Sequence, residues 1–202
     1  MDKQISRQFF NNKASEWDET THNNDLQKIR TLAERLAFPP DAWVLDVGTG
    51  TGVFVPYIQS RLNGRGRITC VDFAFRMMEI AQKKNKNEGI EHVCAEIETV
   101  GFTREVFDAA VCYSTFPHFH DKPMALENIL CLLKEGGKVI ICHTASRNKI
   151  NAIHRKIPNL WDHLIPDEGL MREMLTAAGF GEVIISDDTD FYLAEATRPA
   201  TS

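Results

Sequence analysis

One stretch, Val44 to Gly52 (VLDVGTGTG), constrains this chain more than any other. A short apolar run ends in a turn with Gly48, Gly50 and Gly52, and an apolar helical pattern from Val53 to Leu62 follows. Glycine permits positive φ and puts no Cβ in the path of a ligand. Strand, glycine turn and helix in that order make the opening unit of an open parallel sheet, whose ligands bind beyond the carboxyl ends of the strands.

The rest of the chain continues the alternation. A helix with Leu26, Ile29, Leu32, Ala33 and Leu36 on one face ends before Pro39-Pro40. Apolar runs predict strands at Trp43 to Val47, Ile68 to Val71, 90–95, Phe107 to Cys112, Val139 to His143, Val183 to Ser186 and Phe191 to Ala196. Helical spacing is read over Phe75 to Lys86 and over Ala125 to Leu133, the latter stopped by Gly136-Gly137. A further helix near Asp167 to Ala178 has Gly179 as its C-cap. Strands alternating with helices predict an α/β fold, a doubly wound and mostly parallel sheet covered on both faces. Residues 1–22 and 144–166 break the alternation and are expected to cover the sheet rather than join it. The expected organisation is therefore N-terminal cap helices over 1–38 and a ligand-binding domain over 39–202, with an insert at 144–166.

The turn carries a partner. Asp72 ends the second strand, 20 residues past Gly52. An acid at that place accepts hydrogen bonds from the ribose of an adenosine-type ligand. Dinucleotide binders use G-x-G-x-x-G and seat a diphosphate on the following helix. Here the spacing is G-x-G-x-G, Val53 stands at the third dinucleotide position, and Asp46 lies two residues before the loop. That carboxylate repels a diphosphate and suits a ligand carrying an ammonium and a sulfonium. S-adenosylmethionine is such a ligand. The competing readings are a nicotinamide cofactor, with oxidoreductase chemistry, and a protein of this fold that binds S-adenosylmethionine without turning it over.

Composition narrows the partners. With 23 Lys+Arg against 28 Asp+Glu in 202 residues, the net charge of −5 argues against a large nucleic-acid footprint. The start, MDKQISRQFF, has no apolar signal core, and no apolar run approaches membrane-spanning length, so no membrane partner is expected. Five widely spaced cysteines without a CxxC pair suggest free thiols in a reducing cytoplasm, and neither zinc nor a redox dithiol.

These residues resemble a known family. VLDVGTGTG, VDFAFRMMEIAQKK, FDAAVCYSTFPHF and ALENILCLLKEGGKVII are similar to successive motifs of the class I S-adenosylmethionine-dependent methyltransferases, in the ubiquinone/menaquinone-biosynthesis-like group. FFNNKASEWDE resembles that group's N-terminal cap, and the likeness runs over about residues 5–195. It implies a Rossmann-like methyltransferase fold of seven strands in the order 3-2-1-4-5-7-6, the last strand antiparallel, with S-adenosylmethionine as cofactor and a small-molecule acceptor. It places Asp46, Gly48 and Gly50 around the methionine moiety, with Thr49 and Gly52 of the same turn, Asp72 on the ribose and Phe73 beside the adenine. Glu96 and Ile97 fall at the adenine edge, Glu96 substituting for the family's Asp. Cys112 and Tyr113 would line the methionine side.

Methyl transfer from a sulfonium relies on alignment and exclusion of water, with a general base only where the acceptor is protonated. The candidate catalytic residues are His118 and His143, at the ends of the fourth and fifth strands, with His154 or Asn151 of the insert reaching over them. Two readings stand for these side chains: exposed loop histidines, or contacts to the acceptor. No metal site is expected, since H-x-H at 118–120 has no further support. The oligomeric state is not legible.

Overall fold

In the computed structural model, residues 3–21 and 26–200 are described. Residues 1, 2, 22–25, 201 and 202, which the expected segments 1–38 and 39–202 include, lie outside the described residues. The elements run α1 (Lys3–Lys13), a 3-10 turn (Ala14–Glu16), α2 (Trp17–Thr21), α3 (Leu26–Arg35), β1 (Trp43–Val47), α4 (Val55–Arg61), β2 (Arg67–Asp72) and α5 (Phe75–Lys84). After these come β3 (Ile90–Cys94), β4 (Phe107–Tyr113), a 3-10 turn (Phe116–His118), α6 (Lys122–Leu132), β5 (Leu133–His143), α7 (Arg147–His154), α8 (Glu168–Ala177), β6 (Gly181–Asp187) and β7 (Tyr192–Thr197).

One seven-stranded sheet has the order β3-β2-β1-β4-β5-β7-β6. The strands β1 to β5 pair in parallel, and β7 is antiparallel to both β5 and β6. The chain thus has the Rossmann-like methyltransferase fold, with the strand order and the reversed last strand that the resemblance implied. The order follows from burial: β1 and β4 are buried on both faces and take the centre, as buried parallel strands do.

Alternate residues feed two cores. Leu45, Ala110, Cys112, Val139 and Ile141 face α6 and α8. Val44, Ala109, Val111, Ile140 and Cys142 face α3, α4 and α5. A third, smaller cluster joins Phe10 and Ala14 of the N-terminal helices to Ala74, Met77 and Leu160. Two stretches that break the alternation, α1–α2 and the segment carrying α7, therefore meet over the carboxyl end of the sheet.

Local chemistry sets the ends. Asp121 and Asp167 accept from the N–H groups of Met124 and Leu170 and cap α6 and α8. Gly179 (φ +101°) follows the end of α8, as expected. Gly136-Gly137 behave otherwise than expected. The helix stops earlier, at Leu132, and the glycines form an irregularity within β5. There Gly136 N–H donates to Arg198 O (2.9 Å) and Arg198 N–H to Gly137 O (2.8 Å). A Cβ at Gly137 would stand 2.8 Å from the Lys134 carbonyl, so the bulge needs glycine there.

Candidate cofactor and acceptor site

The glycine turn joins β1 to α4 through a dense backbone network. Gly48 and Thr49 both donate to Val71 O (2.7 and 3.1 Å), and Gly52 donates to Thr49 O (3.0 Å). Gly50 donates to Asp72 Oδ2 (2.8 Å). Four N–H groups of the turn therefore have partners inside the protein. A phosphate cradle works the other way, presenting free N–H groups to its anion.

The three glycines have different reasons. At Gly48 (φ +66°) a Cβ would come within 1.9 Å of Thr115 Oγ1, so glycine here lets the end of β4 close on the turn. At Gly50 (φ +57°) a Cβ would meet nothing within 4 Å, because that side is open cavity. At Gly52 (φ +78°) it would meet Asn85 Nδ2 at 2.3 Å and the Ala81 side chain at 3.1 Å. Gly52 thus faces α5 and does not line the cavity, unlike its expected place at the cofactor.

Two carboxylates flank the turn. Asp72 Oδ1 accepts from Ala74 N–H (2.8 Å) and Oδ2 from Gly50 N–H, which aims the group and leaves lone pairs toward the cavity. Burial raises its pKa to about 6, against the lowering effect of those two N–H groups. Asp46 lies beneath the turn, 2% exposed, and its Oδ2 is buried without a hydrogen-bond partner. Burial raises its pKa to about 7, with Thr49 opposing and Asp72 adding to the rise.

Two adjoining cavities open at this end of the sheet, of about 500 and about 170 Å³. Gly48, Asp72, Phe73, Thr115 and His118 line both and form the wall between them. The smaller contains Glu96 and Ile97. Both carboxylate oxygens of Glu96 are already engaged, Oε1 by Arg7 and Oε2 by Lys3, so this residue ties α1 to the end of β3. Sequence reasoning missed that tie.

The larger cavity is lined by Thr49, Gly50, Tyr113, His143 and His154, under a roof of Phe9, Phe10 and Trp17 from the N-terminal helices and Ile150, Ile153 and Ile157 from α7 and its continuation. Tyr113 is fixed by stacking on Phe54 at 4.4 Å between ring centroids. Cys112, expected beside it, is 0% exposed in the opposite core and lines neither cavity. Successive residues of a strand point to opposite faces, so both could not. Burial also holds the thiols of Cys112 and Cys142 well above their usual range, which leaves them unreactive.

The histidines converge. His118, His143 and His154 line the larger cavity, and His163 lines the smaller. His143 is 3% exposed with Nε2 unpartnered, and burial, helped by His154, lowers its pKa to about 3. Asn151 instead bonds the backbone of Ile165 at both ends (2.9 Å each) and closes the insert on itself. Among the described residues no group of three or more His, Cys, Asp or Glu is placed to hold a metal ion.

The strand order, the turn and the acid after β2 define a class I methyltransferase architecture. Residues 45–141 match the methyltransferase domain family model. The chain is 32% identical over 106 residues to the ubiquinone/menaquinone biosynthesis C-methyltransferase UbiE of Wigglesworthia glossinidia brevipalpis, covering 50% of this chain and 42% of that protein. It is 26% identical over 145 residues to the malonyl-[acyl-carrier protein] O-methyltransferase of Priestia megaterium, covering 69% and 51%. The chain thus spans about half the length of these curated relatives or less. Among solved structures, a SAM-dependent methyltransferase from Aquifex aeolicus superposes with a TM-score of 0.72 at 19% identity, covering 93% of this chain and 98% of that one. Residues 45–141 thus match a methyltransferase domain, and the curated relatives to which the chain is similar, UbiE among them, are methyltransferases.

Proposed function

We propose that this chain transfers a methyl group from S-adenosylmethionine to a small-molecule acceptor. The observation that carries it is the glycine turn, four of whose N–H groups are bonded within the protein while it sits between two buried carboxylates. An anion finds those four donors already engaged. A cation finds Asp72 on the cavity wall and Gly50 leaving room for close approach, with the unpartnered carboxylate of Asp46, which lines neither cavity, beneath the turn.

S-adenosylmethionine supplies a methyl group on a sulfonium, which leaves as a neutral thioether. Around it Asp72 takes the ribose hydroxyls, Phe73 lies beside the adenine, and Ile97 closes the adenine edge. Asp46, Gly48, Thr49, Gly50 and Tyr113 surround the methionine end. The roof of aromatic and isoleucine side chains excludes water and fits an acceptor with an apolar or aromatic body. The two named relatives are, by their names, a C- and an O-methyltransferase.

Five free cysteines and a net charge of −5 support a reducing cytoplasm and no nucleic-acid partner. Among the described residues no helix is long and apolar enough to cross a membrane.

The test is product analysis against quinols, phenols, amines, thiols and metalloids, with S-adenosylhomocysteine as the common readout. Formation of that product with one acceptor class is expected. Tight donor binding with no transfer to any of them would favour the non-catalytic reading.

A further inference from the structure

A pair of histidines holds a geometry the proposed chemistry has not yet used. His118 closes the 3-10 turn after β4, and His163 arrives from the segment beyond α7. Their Nδ1 atoms are 2.8 Å apart, so one ring donates and the other accepts. His154 Nδ1–H donates to the carbonyl of His163 (2.5 Å), which fixes the backbone that carries His163. Behind the pair, His163 Nε2 lies 3.8 Å from Asp162 Oδ1. The Nε2 of His118 takes no hydrogen bond from the described residues, and its ring lines both cavities.

We propose that His118 Nε2 is the base that takes the acceptor's proton, and that His163 is the positioning residue that holds His118 in the tautomer leaving Nε2 bare. His118 donates its Nδ1–H to His163 Nδ1, and His163 carries its own proton on Nε2, toward Asp162. This rests on the methyl-transfer reading and narrows its acceptor to molecules with a proton to lose.

In the step itself the acceptor's X–H bond breaks. The electron pair stays on X and forms the bond to the methyl carbon as the methyl–sulfur bond breaks and leaves its pair on the departing neutral thioether, and the proton passes to His118 Nε2. The imidazolium shares its Nδ1 proton with His163, and the Nε2 proton leaves to water once the methylated product has gone.

The surroundings agree. His118 is faced by His154 and His163, by His143 of β5 and by Lys122 of α6. His163 is faced by Asp162, Lys122 and His154, and Lys122 in turn by Asp162 and Glu98. Burial first, then these neighbours, hold His118 well below its usual range, and burial holds His163 at about 4, so both are neutral at pH 7. A neutral imidazole has a lone pair on Nε2 to receive a proton, as general-base catalysis requires.

Histidine-labelled 15N NMR of the protein loaded with S-adenosylhomocysteine tests this. The expected spectrum at pH 7.5 shows His118 as the Nδ1–H tautomer, with that proton far downfield and coupled to His163 Nδ1. His163→Phe is expected to lose the downfield signal and release His118 into a mixture of tautomers, while Asp162→Asn keeps the signal. His118 found as the Nε2–H tautomer in the parent protein overturns the proposal, and that readout does not depend on any variant folding. Calorimetric titration with S-adenosylhomocysteine separates the two claims. Failure to bind removes the methyl-transfer reading, whereas the wrong tautomer with normal binding removes only the base.

Discussion

The glycine turn and the roof over it are built on different physics. The turn is a backbone object: four of its N–H groups are bonded inside the protein, and two of its glycines are dictated by atoms a Cβ would strike. The roof is a side-chain object. Its N-terminal half is held by one small, largely aromatic cluster and by surface ion pairs, Lys3 and Arg7 on Glu96 and Lys84 on Asp18. Elements of the second kind, with few buried contacts, are the ones expected to open first.

Breaking the turn should therefore cost most. Gly48→Ala combines a left-handed φ with a clash against Thr115, about 4 kcal/mol when strain and overpacking are added. Chemical denaturation should show that loss, and a change below about 1 kcal/mol would mean the turn is as pliable as the roof.

Asp46→Asn probes the electrostatics. A carboxyl whose pKa in the folded chain is raised from 3.8 to about 7 favours the folded state below about pH 4 and loses that contribution as pH rises through about 7. The amide does not suffer this loss. The ligand-free variant should gain about 4 kcal/mol on the parent between pH 4 and pH 8, at roughly 1.4 kcal/mol per pKa unit. Urea unfolding at the two pH values measures it. A gap that stays constant would mean Asp46 is well solvated.

Asp72→Ala should weaken S-adenosylmethionine binding by about 1.5–3 kcal/mol, the scale of a charged hydrogen bond. Unchanged affinity in a calorimetric titration would remove the ribose role.

The smallest effect belongs to the roof. Glu96→Ala should alter global stability by about 1 kcal/mol or less, since its partners Lys3 and Arg7 are a third or more exposed. Amide exchange in α1 should nevertheless accelerate well ahead of that in β1. Equal acceleration in both would erase the distinction between turn and roof.

The same contrast explains what the sequence made legible. The turn and sheet order are local and periodic: glycine spacing, apolar runs and the acid ending β2 are neighbours in the chain. The histidine pair joins residues 118 and 163, and the Glu96 tie joins residue 96 to α1, so no periodicity announces either. Gly52 looked like its two companions because its partner, Asn85, is 33 residues away. Cys112 is a different case. Strand parity alone separates it from Tyr113, and the pattern of β4 contained that answer.

Titration of the protein with S-adenosylmethionine, S-adenosylhomocysteine and NAD in parallel tests the central claim most directly, that the turn receives a sulfonium donor. Saturable binding of the two adenosyl compounds, with none by the dinucleotide, is predicted. Stabilisation by NAD with no response to S-adenosylmethionine would contradict it.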